Sequence, residues 1–391
     1  MSVTRVLFVV NHSDFFVSHR LPLGIRARER GWDVHVATGP SGGRQAIEDH
    51  GLTYHPVAIR RSSARPVDEL QTLASLGALY TSLRPDLIHH VTIKPVLYGG
   101  LVSTLLRVPA VVHAISGLGY VFLARGIVAD ARRAAVRLAY RAAFRHPNMR
   151  VIFQNTHDRD AFVDAGLVRP ADAVLVRGSG VDLDAFVAVP EPAAHPIVVV
   201  LPGRMLRDKG VVELVEAARL LHARGIPVVV KLAGPTDAGN PASIDERDLR
   251  RWQAEGAVQW LGRVDDMSQL MQNAHIVCLP SYREGLSKAL IEAAACGRPI
   301  VTTDTPGCRD VVRHRDNGLL VPLRDPQAIA DALAELAADG PTRRAMGARG
   351  RQRAVAEFSL PSVLDLTFDV YAELMARYGS KVQVGQRWAA R

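Results

Sequence analysis

Two segments in the second half of the sequence place charged residues beside glycine, each directly after a run of apolar residues. The first reads Gly203-Arg204 and then Lys209-Gly210, and it follows the apolar run 197–201. An arginine fork together with a lysine point charge is suited to binding a diphosphate. Taken alone, this pair fits two solvated loop cations at least as well, so the assignment needs support from elsewhere in the chain.

The second segment, residues 280–299, contains a short apolar helix with one acid inside it. Ser287 is a favourable N-cap and Gly297 a favourable C-cap, and we expect the helix between them to be buried. Burying the Glu292 carboxylate without partners would cost several kcal/mol. The two vicinal hydroxyls of a ribose would be suitable donors to it. The alternative is that Glu292 faces solvent on an ordinary helix.

Glu284 lies just before this helix, where backbone amides are available to a ligand. Amides at a helix N-terminus favour anions such as phosphate. The alternative is an acid on a surface loop, and the spacing alone leaves both interpretations open.

The rest of the chain alternates short apolar runs with helical segments. In the first half the runs span residues 6–10, 34–37, 87–90, 110–113, 151–153 and 174–176. In the second half they span residues 197–201, 228–232, 258–261, 276–279, 300–302 and 319–321. Continuous apolar strands alternating with helices are typical of parallel sheets covered on both faces. We therefore predict an α/β protein with two Rossmann-like, doubly wound domains facing a cleft.

A proline-rich break separates the two halves. Residues 189–196 contain three prolines and no periodicity, which indicates a linker. The sequence thus predicts an N-terminal domain over residues 1–188 and a C-terminal domain over residues 197–360. Residues 361–391 are expected to form a final helix and tail, with the helix packing on the N-terminal domain.

Composition and charge exclude several classes of protein. The 391 residues carry a net charge of +9, with 48% apolar and 22% charged residues, and this ordinary globular balance argues against disorder. The apolar runs are shorter than the roughly 18 residues of a transmembrane helix, and we expect no signal peptide. Cys278, Cys296 and Cys308 lack metal-ligand spacing and are expected to be reduced thiols in a cytoplasmic protein.

Positive charge is concentrated in residues 101–150, which contain eight arginines and a single acid, Asp130. Four of these arginines are spaced four residues apart, at Arg133, Arg137, Arg141 and Arg145. Beside them lie three apolar residues, Val136, Tyr140 and Phe144, which could insert shallowly into a bilayer or pack into the core. A basic face of this kind suits an anionic membrane surface, and a solvated helix face is the alternative. No nucleic-acid partner is expected, because the sequence has no DNA- or RNA-binding motif and few aromatic residues.

Together, the two charged segments resemble the donor half of the retaining family 4 glycosyltransferases, which have the GT-B fold of two facing Rossmann-like domains. The resemblance covers nearly the whole chain. Its further stretches in or near the donor half are Asn155-Thr156-His157-Asp158, Gly178-Ser179-Gly180-Val181-Asp182, Trp260-Leu261-Gly262-Arg263-Val264 and Asp316-Asn317-Gly318-Leu319-Leu320-Val321-Pro322. Three stretches in the first half look like bacterial members that assemble surface polysaccharides on a lipid carrier: Ser18-His19-Arg20-Leu21-Pro22, His89-His90-Val91-Thr92-Ile93-Lys94-Pro95 and Ile115-Ser116-Gly117-Leu118-Gly119-Tyr120.

The resemblance implies a role for each residue of the charged segments. Arg204 and Lys209 would bind the donor diphosphate and neutralise the leaving group. Glu284 would contact hydroxyls of the transferred sugar, and Glu292 would hold the ribose. The remaining donor-binding residues would supply backbone amides or border the nucleobase: Gly285, Leu286, Ser287, Arg263 and Val264. This stabilisation is electrostatic, so we expect neither a metal site nor a separate cofactor.

The resemblance also implies the substrates. The donor would be a nucleotide diphosphate sugar, with a UDP-sugar favoured, and the transferred group a hexose or an N-acetylhexosamine. The acceptor domain, residues 1–188, would bind a saccharide linked to a polyprenyl diphosphate. The enzyme would then lie on the inner face of the plasma membrane as a cytoplasmic, peripheral protein.

Two features depart from the family. Residues 11–16 lack the glycine pair that often follows the first strand, and His113 lies inside its predicted strand rather than at its mouth. His113 is therefore a weaker catalytic candidate than Arg204, Lys209 and Glu284, and a buried structural histidine is the alternative.

Other functions compete with this interpretation. A dinucleotide-dependent oxidoreductase is disfavoured because no Gly-X-Gly-X-X-Gly follows either first strand. A sugar-nucleotide epimerase of the same architecture would bind the same donor but form product without an acceptor. A non-catalytic, nucleotide-binding module at a membrane would bind nucleotide and lipid without turnover.

Overall fold

A computed structural model describes residues 3–60, 65–117, 127–193 and 195–382 of the chain. At residues 127–133 and 379–382 it describes the helix backbone but not the side chains. The chain forms two compact units. Unit 1 comprises Met1–Val176 with Val363–Arg391, and unit 2 comprises Arg177–Ser362.

Unit 1 is built on a parallel sheet. Its strands are β1 (Arg5–His12), β2 (Asp33–Gly39), β3 (Thr53–Pro56), β4 (Leu87–Val91), β5 (Ala110–Ile115), β6 (Met149–Phe153) and β7 (Ala173–Leu175). They lie in the order β3-β2-β1-β4-β5-β6-β7. The helices are α1 (Ser13–His19), α2 (Leu21–Glu29), α3 (Arg44–Asp49), α4 (Pro66–Leu83), α5 (Gly100–Leu105), α6 (Ile127–Ala143) and α7 (Thr156–Asp164), with a π turn at Pro95–Gly99 and a 3-10 turn at Pro170–Asp172.

Unit 2 repeats this plan. Its strands are β8 (Ile197–Pro202), β9 (Val228–Ala233), β10 (Gln259–Gly262), β11 (Ile276–Leu279), β12 (Ile300–Thr303) and β13 (Gly318–Val321), in the order β10-β9-β8-β11-β12-β13. The helices are α8 (Val211–Ala223), α9 (Glu246–Ala254), α10 (Met267–Gln272), α11 (Lys288–Ala295), α12 (Pro306–Arg309), α13 (Pro326–Ala338) and α14 (Gly340–Glu357), with a 3-10 turn at Arg207–Lys209. The last helix, α15 (Leu360–Val382), begins in unit 2 and continues into unit 1.

Five inner strands are buried along their whole length: β4, β5 and β6 in unit 1, and β11 and β12 in unit 2. Strands covered on both faces have no polar side to present, which explains the continuous apolar runs. The predicted fold class is confirmed: both units are doubly wound parallel sheets. In each sheet the first strand lies between the second and the fourth, and ligands of such sheets bind beyond the carboxyl ends of the strands at that point.

The division between the units falls at Val176, earlier than residue 188 suggested by the sequence. The proline-rich segment 189–196, which the sequence predicts to be a linker, falls within the range of unit 2. Glu191 accepts a hydrogen bond from Nε of Arg343 at 2.7 Å and one from Nη1 of Arg344 at 2.9 Å. Glu191 and its arginine partners are 152 and 153 residues apart in sequence. The proline content could therefore predict a break between the two sheets, but not these contacts with α14.

The last helix, α15, packs its apolar side in unit 1. Phe368, Tyr371 and Leu374 are buried in the same cluster as apolar residues of β1 and β2. The Tyr371 hydroxyl lies 2.5 Å from Nδ1 of His89 on β4. The chain therefore crosses back from unit 2 to complete the core of unit 1.

Candidate active site

The two charged segments start from neighbouring strands of unit 2. β8 and β11 pair in parallel, with Val199 opposite Ile276 and Val200 opposite Val277. Both strands therefore end at the same edge of the sheet, beside the point where the strand order reverses. Loop A, residues 203–210, follows β8, and loop B, residues 280–287, follows β11. The topology thus brings together two segments about 75 residues apart in sequence.

Loops A and B are fastened to each other by their backbones. The Asp208 carbonyl accepts a hydrogen bond from the backbone N–H of Tyr282 at 2.8 Å and one from the Ser281 hydroxyl at 3.1 Å. Gly210 has a φ of +71°, and a Cβ there would lie 2.1 Å from the Pro280 carbonyl oxygen. A side chain at position 210 would therefore push the loops apart.

The end of β12 and the start of α12 hold loop B from its other side. The Thr303 hydroxyl donates to the Ser281 carbonyl. A Cβ on Gly307 would lie 2.3 Å from the Glu284 carbonyl oxygen, so the first residues of α12 lie directly against loop B. Glu284 is thus presented by a loop fixed on both sides, and such fixing is what a preorganised site requires.

Lys209 and Glu284, predicted to serve one site, are in direct contact. Lys209 Nζ donates to Glu284 Oε1 at 2.5 Å, and their side chains are 22% and 11% exposed. An ion pair of partly buried groups is screened less than one in bulk water. The pair places a positive and a negative group side by side at the sheet edge, where a charged sugar nucleotide could contact both.

Arg204 lies on loop A nearer to β8. Its guanidinium donates through Nη1 to the Asp237 carboxylate, and the Arg204 side chain is 46% exposed. Asp237 lies in the loop after β9, the strand on the other side of β8. Arg204 is therefore accessible to a ligand and already oriented by an acid.

Helix α11 has the buried character that its sequence predicts. Ser287 occupies the N-cap position in extended conformation but makes no capping hydrogen bond, so its hydroxyl is not used in the way we predicted. Glu292 is only 8% exposed. Its one described ion-pair partner is Lys288, with Nζ 3.4 Å from Oε1. Burial raises the pKa of Glu292, and Lys288 partly opposes this shift.

The remaining predicted donor residues lie at the same edge of the sheet. Leu286 and Ser287 of loop B are buried and Gly285 is half-buried. Arg263 and Val264 follow β10, two strands away from β8. The Arg263 side chain is 83% exposed and pairs with Asp265 at 3.3 Å.

His113 is enclosed in unit 1, not placed at a sheet edge. In β5 it lies opposite His90 on β4 and Val151 on β6, and its side chain has no exposed surface. Its ring stacks on that of His90, with centroids 5.1 Å apart. Burial, assisted by His146, lowers the pKa of His113 to about 3. A side chain surrounded by core residues cannot reach a sugar, so the structure favours the structural role over the catalytic one.

The four regularly spaced arginines predicted to face a membrane lie on and just after α6. We call this set, Arg133, Arg137, Arg141 and Arg145, the stripe. Arg137, Arg141 and Arg145 are exposed, whereas the side chain of Arg133 lies outside the described residues. Nη2 of Arg141 makes a long contact, 3.4 Å, with the Ala165 carbonyl. These three arginines thus present positive charge to solvent.

The apolar residues beside the stripe do not share that exposure. Tyr140 and Phe144 are buried in the core of unit 1, and Val136 packs against it. The possibility that they insert into a bilayer is therefore wrong, because a helix with an apolar core face needs those residues for packing. Leu138, 68% exposed, is a large apolar side chain that α6 does present to solvent.

The described residues also bear on the expectations for metal sites, membrane-spanning helices and cysteines. Within residues 3–60, 65–117, 127–193 and 195–382, no three histidine, cysteine or acidic side chains cluster as a metal site. No described helix is long and apolar enough to cross a bilayer. Cys278, Cys296 and Cys308 are unpaired and buried.

Two features of the site escaped the sequence analysis. The Tyr282 hydroxyl donates to Glu213 Oε1 at 2.5 Å, which joins loop B to the first turn of α8. Asp237 contacts Arg204 across the ends of β8 and β9. An isolated tyrosine, glutamate or aspartate in a loop carries no signal of its own, although a polar residue close behind a buried strand does, such as Ser281, two residues after β11.

Comparison with known proteins agrees with this architecture. Residues 196–339 match the family model described as "Glycosyl transferases group 1", and residues 5–155 match the model "Glycosyl transferase 4-like". The chain is 25% identical over 360 residues to N,N'-diacetylbacillosaminyl-diphospho-undecaprenol alpha-1,3-N-acetylgalactosaminyltransferase of Campylobacter jejuni, which covers 88% of this chain and 93% of that relative. It is 23% identical over 345 residues to the capsular polysaccharide biosynthesis glycosyltransferase CapM of Staphylococcus aureus, covering 85% and 87% respectively.

Among solved structures, HepE of Anabaena in complex with UDP and glucose superposes with a TM-score of 0.77 at 19% identity, covering 94% of this chain and 99% of that one. At this identity the likeness shows the fold alone. With a glycosyltransferase model matching each unit and relatives aligned along most of the chain, the protein is a glycosyltransferase of family 4 with the GT-B fold.

Proposed function

We propose that the chain is a retaining glycosyltransferase that moves a sugar from a UDP-sugar to a lipid-linked saccharide during surface polysaccharide synthesis. The names of two relatives support this proposal: one acts on a diphospho-undecaprenol saccharide and transfers N-acetylgalactosamine, and the other serves capsular polysaccharide biosynthesis. HepE, of the same fold, was solved with UDP and glucose. We therefore favour a UDP-sugar carrying a hexose or an N-acetylhexosamine.

The observation that carries the proposal is the Lys209–Glu284 pair at the ends of β8 and β11. In the transfer, the bond between the anomeric carbon and a diphosphate oxygen breaks, and both electrons leave with the diphosphate. The acceptor oxygen forms the new bond on the same face, and its proton passes to the departing diphosphate. Lys209 and Arg204 would stabilise the charge that develops there, while Glu284 would accept hydrogen bonds from sugar hydroxyls.

Glu292 fits the role of ribose ligand. A buried carboxylate needs hydrogen-bond donors, and the described contact with Lys288, at 3.4 Å, is long for a charge-assisted hydrogen bond. Two ribose hydroxyls would donate in a bidentate manner to the carboxylate oxygens. The backbone amides of residues 285–287, at the start of α11, would face phosphate oxygens.

Unit 1 would bind the acceptor. A lipid-linked diphosphate lies at the bilayer surface, so the acceptor domain must approach that surface. The exposed arginines of α6 are suited to this approach, since each is worth about 1 kcal/mol near an anionic membrane. We therefore propose a peripheral enzyme on the inner face of the plasma membrane, which needs no metal ion or separate cofactor.

Turnover with a panel of UDP- and GDP-sugars tests this function, with and without a polyprenyl-diphosphate-linked saccharide in detergent. We expect one UDP-sugar to give a glycosylated lipid whose anomeric configuration, read from proton NMR couplings, matches that of the donor. An inverted product would refute retention, and an epimerised donor formed without acceptor would identify an epimerase. Nucleotide binding without any turnover would identify a non-catalytic module.

A further inference from the structure

The loop after β9 is joined to loop A along much of its length. The Arg207 N–H donates to the Ala242 carbonyl at 2.8 Å, and the Ile244 N–H donates to the Met205 carbonyl at 2.9 Å. Leu206 and Ser243 form an antiparallel bridge. Loop C, residues 234–245, is therefore fastened to loop A through its backbone.

The start of loop C is pressed against the start of loop A. A Cβ on Gly234 would lie 1.9 Å from the Gly203 carbonyl oxygen, so only glycine fits there. Beyond this contact, Met205 donates its backbone N–H to the Pro235 carbonyl at 2.9 Å. The close approach brings Asp237 within reach of the residue after Gly203, which is Arg204.

Asp237 is itself held in place. Its carboxylate accepts a hydrogen bond from Nδ2 of Asn240 at 3.0 Å, and its backbone N–H donates to the Ser243 hydroxyl at 3.0 Å. The Asn240 side-chain oxygen in turn accepts from the Ala242 N–H at 3.0 Å. The Asp237 side chain is 15% exposed, whereas that of Arg204 is 46% exposed. A fixed acid thus contacts a more accessible arginine, an arrangement that orients the arginine.

We propose that Asp237 is a positioning residue for donor binding: it holds Nη1 of Arg204 and leaves the other guanidinium nitrogens to the donor diphosphate. This inference rests on the proposed function, in which Arg204 contacts that diphosphate. An arginine on a loop has several rotatable bonds, and holding it in one geometry before the substrate arrives reduces the entropy lost in the transition state. Asn240 keeps the Asp237 carboxylate facing Arg204.

The test is a double-mutant cycle on kcat with the UDP-sugar donor, comparing wild type, Asp237→Ala, Arg204→Ala and the double variant. We expect Asp237→Ala to lower kcat about 10-fold, within the range seen for small misplacements of a catalytic group. In the Arg204→Ala background the same change should alter kcat less than about 2-fold, because a residue that acts through Arg204 has nothing left to position.

Two further variants keep the result interpretable. Asp237→Asn retains the shape and an acceptor oxygen and should lie between wild type and Asp237→Ala. Asp245→Ala removes another aspartate of loop C, one that caps α9 and pairs with Arg247, and it should leave kcat unchanged even if it lowers the melting temperature.

The outcomes separate this inference from the proposed function. If Arg204→Ala impairs turnover but the Asp237 effect is equal in both backgrounds, Asp237 has a structural role and the inference is overturned. The same holds if Asp237→Ala and Asp237→Asn turn over like wild type. If Arg204→Ala itself leaves kcat unchanged, the assignment of Arg204 to the diphosphate fails, and the inference fails with it.

Discussion

The charged residues of the candidate site each have an oppositely charged neighbour. Lys209 contacts Glu284, Arg204 contacts Asp237, and Glu292 is buried with Lys288 beside it. In each case an acid neighbours a base, so a diphosphate that binds the cations must share them with carboxylates already in place. Binding and turnover should therefore be sensitive to the loss of any one of these side chains, and contacting pairs should be coupled.

Replacing Glu292 by alanine should weaken nucleotide binding while the fold survives. Losing hydrogen bonds to a charged group costs about 1.5–3 kcal/mol, so Kd for UDP should rise by roughly 10- to 100-fold. Because burial raises the pKa of this carboxyl, its ionised form is a cost to the free protein at neutral pH, and the melting temperature should not fall. Calorimetric titration with UDP measures the effect.

The matched control for that titration is Glu216→Ala, which removes an exposed glutamate that pairs with Arg219 on α8. It should bind UDP like wild type. An unchanged Kd in Glu292→Ala would exclude this residue as the ribose ligand.

Glu292 and Glu284 could be predicted as site residues from the sequence, whereas the residues that contact the site cations could not all be predicted. An acid inside an apolar helix stands out from its neighbours, and a loop after a buried strand is a recognisable place for ligands. No sequence pattern distinguishes Asp237, because its contact with Arg204 depends on how the loop after β9 packs against the loop after β8. His113 was the opposite case: a chemically capable residue whose position inside β5 puts it in the core.

At the scale of elements, α6 has a packed face and a basic face. Tyr140 and Phe144 lie in the core, while Arg137 and Arg141 are exposed. Helical periodicity predicted that these two sets would differ, but not that the aromatic residues would serve the core rather than a membrane. Among the side chains described, the exposed side carries Arg137, Arg141 and the large apolar residue Leu138.

Changing the four arginines of the stripe to glutamine should reduce binding to anionic vesicles. The variant replaces Arg133, Arg137, Arg141 and Arg145. At about 1 kcal/mol for each arginine near an anionic surface, and with screening over a Debye length of about 10 Å at 0.1 M salt, wild-type binding should be strong at low salt and weak at high salt. Co-sedimentation with phosphatidylglycerol-containing vesicles at both salt concentrations measures this.

A charge-matched control changes four exposed arginines of unit 2 to glutamine instead: Arg247, Arg250 and Arg251 of α9, and Arg315, all of which pair with nearby acids. It should sediment with vesicles like wild type. Equal binding by the stripe variant and wild type, or no binding at low salt, would make this helix face an ordinary solvated surface.

At the scale of the whole molecule, buried histidines of unit 1 should lower the free energy of unfolding at low pH. His89, His90 and His113 are buried on adjacent strands, and burial lowers the pKa of each well below its usual value, to about 3 for His113. The native state therefore keeps these imidazoles neutral, whereas the unfolded chain takes up protons below about pH 6.5. The contribution of these neutral histidines to the free energy of unfolding should be fully present above that pH and should be lost as the pH falls.

Each histidine should contribute a loss of about 1.4 kcal/mol per pH unit below about 6.5, until the native pKa is reached. Urea unfolding between pH 7.5 and 5.5 measures the slope. His113→Gln should make it shallower, and His222→Gln, at an exposed position on α8, should leave it unchanged. A free energy of unfolding that does not change over this range would show that the buried histidines are not neutral in the native state.

We propose that Arg204 and Lys209, rather than a metal ion, neutralise the leaving diphosphate. The most direct measurement is the rate of UDP release from the UDP-sugar, with acceptor present, in excess EDTA. Wild type and Arg247→Ala, an exposed arginine of unit 2, should keep full turnover, and Lys209→Ala and Arg204→Ala should each lose about 3 kcal/mol of transition-state stabilisation, roughly 100-fold in kcat. Loss of wild-type turnover in EDTA with recovery on adding Mg²⁺ or Mn²⁺, or near-normal kcat in both variants, would show that these two cations do not neutralise the leaving group.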